Sequence, residues 1–348
     1  MQKEREMEPQ EILDVIELRR QENFDDVIKV KDVRAHVADD LMVYTVAGKK
    51  AGKTATAHYS RWAFTQLLNR FSIPVHFYDR SSPGLKNRIF SEHITSRHVT
   101  GKRKIERKLL YRFVPHITDD HHIVRAVLSD RYGIMDDHEV FPVVIEELQK
   151  EHEGHLNFAT FAVDDNITRL FVEFEDCRRT YNNTEHVAGV LISNSEVGQG
   201  AIWIEPIVNI PAAHFADRRS LAAQGVNLRI IHRGEFNPER VQELVRQARE
   251  ISQVGVVQLA EAWDNRVPMA QALSYAKDID SMPKRLYDIL EEEWSRDETI
   301  AKIEAAKKIM ELAKSLPLFQ RTPLEQAAGR MTGLFDNYQS RIAQIMAE

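Results

Sequence analysis

Residues 97–108 read Arg97-His98-Val99-Thr100-Gly101-Lys102-Arg103-Lys104-Ile105-Glu106-Arg107-Lys108. Cationic side chains at this density bind phosphates by displacing condensed counterions, and they need no shaped pocket to do so. The wider stretch 80–112 holds ten Lys/Arg and two acids, a balance of +8 in a chain of net charge −6, so the remaining residues sum to −14. A cationic face on an acidic protein is an electrostatic footprint for a polyanion. Lys102, Arg103, Lys104, Arg107 and Lys108 are the expected phosphate contacts. Arg112, Arg125 and Arg131 continue the track if their strands face it, and Tyr132 is the expected stacking residue. Tyr78, Phe90, Tyr111 and Phe113 offer further faces for unpaired bases. The competing reading is a solvated basic surface with the aromatics in the core.

Other groups suggest other chemistry. His116, His121 and His122 flank Asp119-Asp120. With Asp130, Asp136 and Asp137 they suggest a metal-dependent nuclease, although turns favour Asp on backbone grounds alone. Ala47-Gly48-Lys49-Lys50-Ala51-Gly52-Lys53-Thr54 fits a relaxed phosphate-loop pattern, but the residues that follow alternate like a strand where that loop needs a helix. A hairpin turn is the preferred reading. Cys177 is the only cysteine, so no intrachain disulfide forms, and no nucleophile signature surrounds it. Ser193-Asn194-Ser195-Glu196-Val197-Gly198-Gln199-Gly200 reads as a hairpin turn, with a binding loop as the alternative. Gly329 and Gly333 have the spacing of close helix packing. No residue is assigned a catalytic role, and no metal or cofactor is expected.

The elements that must position these residues follow from pattern. At 348 residues, 43% hydrophobic and 29% charged, the chain has room for a sizeable core. Residues 1–39 form a charged segment with a helix over Glu11–Arg20 and irregular structure after it. An α+β domain over 40–234 then builds an antiparallel sheet with packed helices. Its strands are expected at 41–46, 54–59, 109–114, 123–128, 156–163, 168–174, 186–192 and 201–210. Leu170, Val172 and Phe174 alternate with Phe171 and Glu173, as in a sheet with one more exposed face. Ser60 caps a helix ended by Pro74, and Asp136 or Asp137 caps another running to Lys150. From 235 to 348 the chain is all-helical, a domain or assembly module. Helix starts are marked by Asn237-Pro238-Glu239, Pro268, Ser281-Met282-Pro283, Asp297 and Thr322-Pro323-Leu324-Glu325. The N-terminus lacks a secretory pattern and no run is long enough to span a bilayer, which points to a soluble, cytoplasmic protein.

Four stretches carry a resemblance. They are Gln66-Leu67-Leu68-Asn69-Arg70-Phe71-Ser72-Ile73-Pro74, Arg125-Ala126-Val127-Leu128-Ser129-Asp130-Arg131-Tyr132 closed by Asp136-Asp137, Ile192-Ser193-Asn194-Ser195-Glu196-Val197-Gly198, and Leu228-Arg229-Ile230-Ile231-His232-Arg233-Gly234. Over about residues 40–235 the chain resembles a phage- and plasmid-encoded family whose domain has no assigned function. Leu128-Ser129-Asp130-Arg131-Tyr132 is the most specific part. The stretch before Leu228 departs from the family pattern, lacking its Cys and Asn-Gly pair. The resemblance implies a mobile-element setting in a bacterial host, where neighbouring genes serve replication or recombination. By analogy of parts, phage single-strand annealing proteins lay single-stranded DNA in a basic groove and assemble into rings or filaments.

The expectation is a non-enzymatic protein that binds single-stranded nucleic acid and forms homo-oligomers. The alternative is a structural or protein-interaction component, with the helical tail as its docking element.

Overall fold

The computed structural model describes residues 7–30, 33–38, 41–46, 55–96, 108–115, 122–150, 156–210, 213–277, 282–294, 298–316 and 318–336. Two sheets carry the architecture. The first has six strands: β1 (Phe24–Lys29), β2 (Val33–Ala38), β3 (Leu41–Val46), β4 (Ala55–Tyr59), β5 (Lys108–Pro115) and β6 (His122–Ser129). Their order is β1-β5-β6-β4-β3-β2, antiparallel throughout except for the parallel pair β4 and β6. A parallel pair needs a long connection. It runs through α2 (Arg61–Arg70), α3 (Val75–Arg80), α4 (Pro83–Arg88), a π-helix over Ile89–Ser96, and β5.

Helix α2 forms because Ser60 accepts the Ala63 N–H at its start and because Ala63, Phe64, Leu67 and Leu68 share one apolar side. That side packs on Tyr111, Phe113, Val124 and Val127 of the sheet, with Tyr78 and Phe90 filling in beside it. The helix ends at Arg70, and Ser72 adopts a left-handed φ of 56°. Pro74 therefore opens α3 and does not terminate α2.

Residues 24–29 and 33–38, expected to be irregular, are strands. The acids of Phe24-Asp25-Asp26 disguise β1, because each needs a partner that only the folded sheet reveals. Asp25 lies directly across from Arg112, and Phe24 across from Phe113 with rings stacked 4.7 Å apart. Residues 47–54, with the glycine–lysine pattern, lie outside the described residues.

The second sheet is a meander of β7 (Leu156–Val163), β8 (Thr168–Tyr181), β9 (Thr184–Asn194), β10 (Ile202–Ile210) and β11 (Ala213–Phe215), with β12 (Arg229–Ile230) also paired to β10. Asn182 and Asn183 both have positive φ, as a two-residue hairpin turn of the twisted type requires. Leu170, Val172 and Phe174 face the core beneath α5 (Asp137–Lys150) and α7 (Pro238–Asp264). The opposite face is not the more exposed one that the alternation predicts. Phe171 and Ile207 are buried there with Ala216. Glu173 is buried as well, held by the side-chain amides of Asn157 and Asn209.

The C-terminal part is helical: α7, α8 (Met269–Lys277), α9 (Lys284–Glu293), α10 (Lys302–Ala313) and α11 (Leu318–Thr332). One short ladder interrupts it, β13 (Arg266–Pro268) with β14 (Thr299–Ala301). Asn237 caps α7 by accepting the Arg240 N–H, and Val241, Leu244, Val245, Ala248 and Ile251 are buried. Helix α11 begins at Leu318, so the Thr322-Pro323 pair lies within it and marks no start. A single core runs across residue 235. Residues of α7, α10 and α11 share it with β8, β9, β10, α5 and the helix α1 (Pro9–Glu22).

Gly329 shows how tightly α11 is seated. A Cβ added there would lie 2.1 Å from the backbone oxygen of Ala216. Gly329→Ala is expected to lower stability by about 1–3 kcal/mol, read as a shift in the urea midpoint. An unchanged midpoint would show that this close approach is not maintained.

Candidate functional site

The two sheets meet through a buried set of charges. Arg112 comes from β5, in a run whose odd residues Leu109, Tyr111 and Phe113 fill the first sheet's core. Its even residues point the other way, where Leu110 packs with Ala126, Leu128 and Val197. Arg112 is 2% exposed. Its Nε donates to Asp25 at 3.0 Å, while Nη1 and Nη2 donate to the two oxygens of Asp136 at 2.7 and 2.6 Å. Nη1 also donates to the Glu196 carbonyl at 2.7 Å. Burial alone would lower the guanidinium's pKa, but the Asp136 hydrogen bonds and the charges of Asp136, Asp25 and Glu196 outweigh it and raise it.

Arg125 sits in an irregularity of β6. Arg112 pairs with Ala126 and Phe113 with Val124, so Arg125 is the extra residue of a bulge. Bulges re-aim side chains, and here Nη2 of Arg125 reaches Glu196 Oε2 at 2.5 Å. The other carboxylate oxygen of Glu196 accepts the Asp137 backbone N–H at 2.9 Å. Burial works to raise the Glu196 pKa, but Arg125 and Arg112 beside it hold it below the usual carboxylate value.

Asp137 is buried beside them. Its carboxyl accepts from Asn194 Nδ2 at 2.8 Å and from Thr168 Oγ1 at 2.5 Å. Burial first, then the Glu196 charge, pushes its pKa up to about 7. Tyr132 donates to the Ser195 carbonyl and stacks on His232, with ring centroids 5.0 Å apart. Burial lowers the His232 pKa and favours the neutral ring. Gln66 completes the joint, donating to the Val197 carbonyl and accepting the Val127 N–H.

The structure therefore separates the sequence candidates. Arg112 and Arg125 are not on a basic track; both are buried and paired with carboxylates. Tyr78, Phe90, Tyr111 and Phe113 are buried in the first sheet's core and present no face to a base. Tyr132 is half-buried, with one ring face on His232. Lys102, Arg103, Lys104 and Arg107 lie outside the described residues, as do His116, Asp119, Asp120 and His121. Lys108 and Arg131 are exposed. They share one end of the first sheet, since Leu109 pairs with Ser129 and Arg131 follows two residues later. Lys29 pairs with Lys108 at the same end. Of the acids proposed for a metal site, Asp136 is engaged by Arg112 and Asp137 by Thr168 and Asn194. No group of three or more metal-ligating side chains occurs among the described residues.

Sequence reading missed Asp25 and Glu196 as the acids that complete this joint. One signal was available. Leu109-Leu110-Tyr111-Arg112-Phe113-Val114 is apolar on both faces, so an arginine within it must be buried and must find a carboxylate. The cavity beside Arg125, Asp137, Asn194 and Glu196 measures about 10 Å³. That is room for one water-sized sphere and no substrate. The cluster's evident chemistry is to lock two sheets together.

Comparison with protein-family models, with curated proteins and with solved structures finds no match. Among the described residues no helix is long and apolar enough to cross a membrane.

Proposed function

We propose that the protein binds single-stranded nucleic acid through residues 97–108 and the adjoining end of the first sheet, without catalysing a reaction on it. The observation that supports this reading most is positional. The chain re-enters the first sheet at Lys108 directly after the basic run, where Lys29 and Arg131 also lie. The phosphate contacts proposed are Lys102, Arg103, Lys104, Arg107, Lys108 and Arg131. A mobile-element role in recombination or replication, in a bacterial cytoplasm, rests on the resemblance alone, and assembly into homo-oligomers rests on the analogy with phage annealing proteins.

Fluorescence anisotropy with labelled oligo(dT), titrated across salt concentrations, tests the reading. Each phosphate neutralised contributes about −0.7 to the slope of log affinity against log salt. Replacing Lys102, Arg103, Lys104, Arg107 and Lys108 together by Gln should flatten the slope by about 3.5. Salt-insensitive binding, or a variant that binds as the parent does, would remove the proposal. Truncation at residue 235 is no test of assembly, because it strips α7 from the faces of β9 and β10 and so reads out folding.

A further inference from the structure

A second recess lies away from the charged joint, on the second sheet. It is a cleft of about 480 Å³ between β10, α6 (Arg218–Ala223) and the chain leading to β12, closed on one side by Gln326 of α11. Its size falls within the usual range for small-molecule sites. Pro206, Leu221, Val226 and Leu228 wall it, and Trp203 contributes an aromatic surface. The Arg218 guanidinium lies 4.0 Å from the Trp203 ring centroid, and that of Arg229 lies 5.5 Å away. An indole flanked by guanidinium groups suits a planar guest that carries negative charge.

Two acids and two arginines line this cleft, and three of the four are already committed to partners. Glu205 is buried and committed at both oxygens, to Arg218 and to Gln326. Asp217 is committed to the backbone N–H and the hydroxyl of Ser220. Arg229 is exposed and has no carboxylate partner among the described residues. The cleft thus offers one uncommitted guanidinium, that of Arg229, beside an apolar space.

We infer that this cleft binds a small planar organic anion, an aromatic body bearing a carboxylate or phosphate. The body lies against the apolar wall, and the anionic group takes the Arg229 guanidinium. This site is independent of the nucleic-acid reading.

The test uses the full chain and 2-naphthoate as probe, with binding followed by isothermal titration calorimetry. Saturable one-to-one binding is expected. The uncharged analogue 2-naphthalenemethanol should bind at least about tenfold more weakly, since it forgoes a charge-assisted hydrogen bond. Arg229→Gln should weaken 2-naphthoate by about tenfold while leaving the thermal midpoint unchanged, because the side chain is exposed. Ala222→Trp, which fills the cleft from an exposed lining position, should abolish binding. The inference is overturned by absence of saturable binding, by an alcohol that binds as tightly as the carboxylate, or by both variants binding like the parent.

Discussion

Arg112→Met is expected to lose about 3–5 kcal/mol of stability, the usual consequence of removing one partner from a buried ionic group. Methionine matches the stem of arginine but supplies no donor. Asp25, Asp136 and the Glu196 carbonyl would each lose the group that satisfies them. The Asp25 pKa is already raised by burial with Arg112 in place, so that carboxylate has no reserve. Arg112→Lys should recover little, since one ammonium cannot reach three acceptors in the fork geometry of a guanidinium. Guanidinium-induced unfolding followed by circular dichroism measures the effect. A loss below about 1 kcal/mol would mean that the cluster is decorative.

Asp137→Asn acts in the opposite sense and depends on pH. The folded protein holds the Asp137 proton up to about pH 7, whereas the unfolded chain releases it near the ordinary aspartate value of 3.8. Between those limits the folded state binds more protons, so this group's contribution to stability is full at low pH and declines as pH rises through 7. Asparagine carries no such titration and still accepts from Asn194. The variant should therefore exceed the parent by about 4 kcal/mol above pH 7, or roughly 6 °C in Tm for a chain of this length. The difference should vanish towards about pH 4. Superimposable stability profiles would show that Asp137 is ionised in the fold.

Much of the fold was readable because the local pattern and the final environment agree. The expected strands at 168–174 and 186–192 are neighbours joined by a tight turn at Asn182-Asn183. Asn237-Pro238-Glu239 marks a helix start, and α7 begins there. The failures share a cause. Strand β1 carries acids whose partner is remote in sequence, so no local window shows why they are tolerated. Helix α11 overrides the Thr322 capping signal because burial of Leu324, Ala327, Ala328 and Met331 favours a helix set by tertiary packing. The candidate site divides along the same line. Gln66, Asp136, Asp137, Glu196 and His232 stand in stretches singled out from sequence, and their meeting in one joint needed coordinates. Arg112 and Arg125 were misplaced because a count of positive charges cannot distinguish a guanidinium held in a core from one in water.

The passage of α7 across the second sheet has a consequence for biosynthesis. A nascent chain that ends before residue 264 has not yet completed the helix that packs on Val190, Ile192 and Ile204 of β9 and β10. The sheet is finished by residue 215 apart from β12, so a ribosome displays this incompletely covered apolar surface for many elongation steps. Translation arrest in that interval leaves the species most open to proteases and aggregation. Folding therefore completes late, once the last helices have left the exit tunnel.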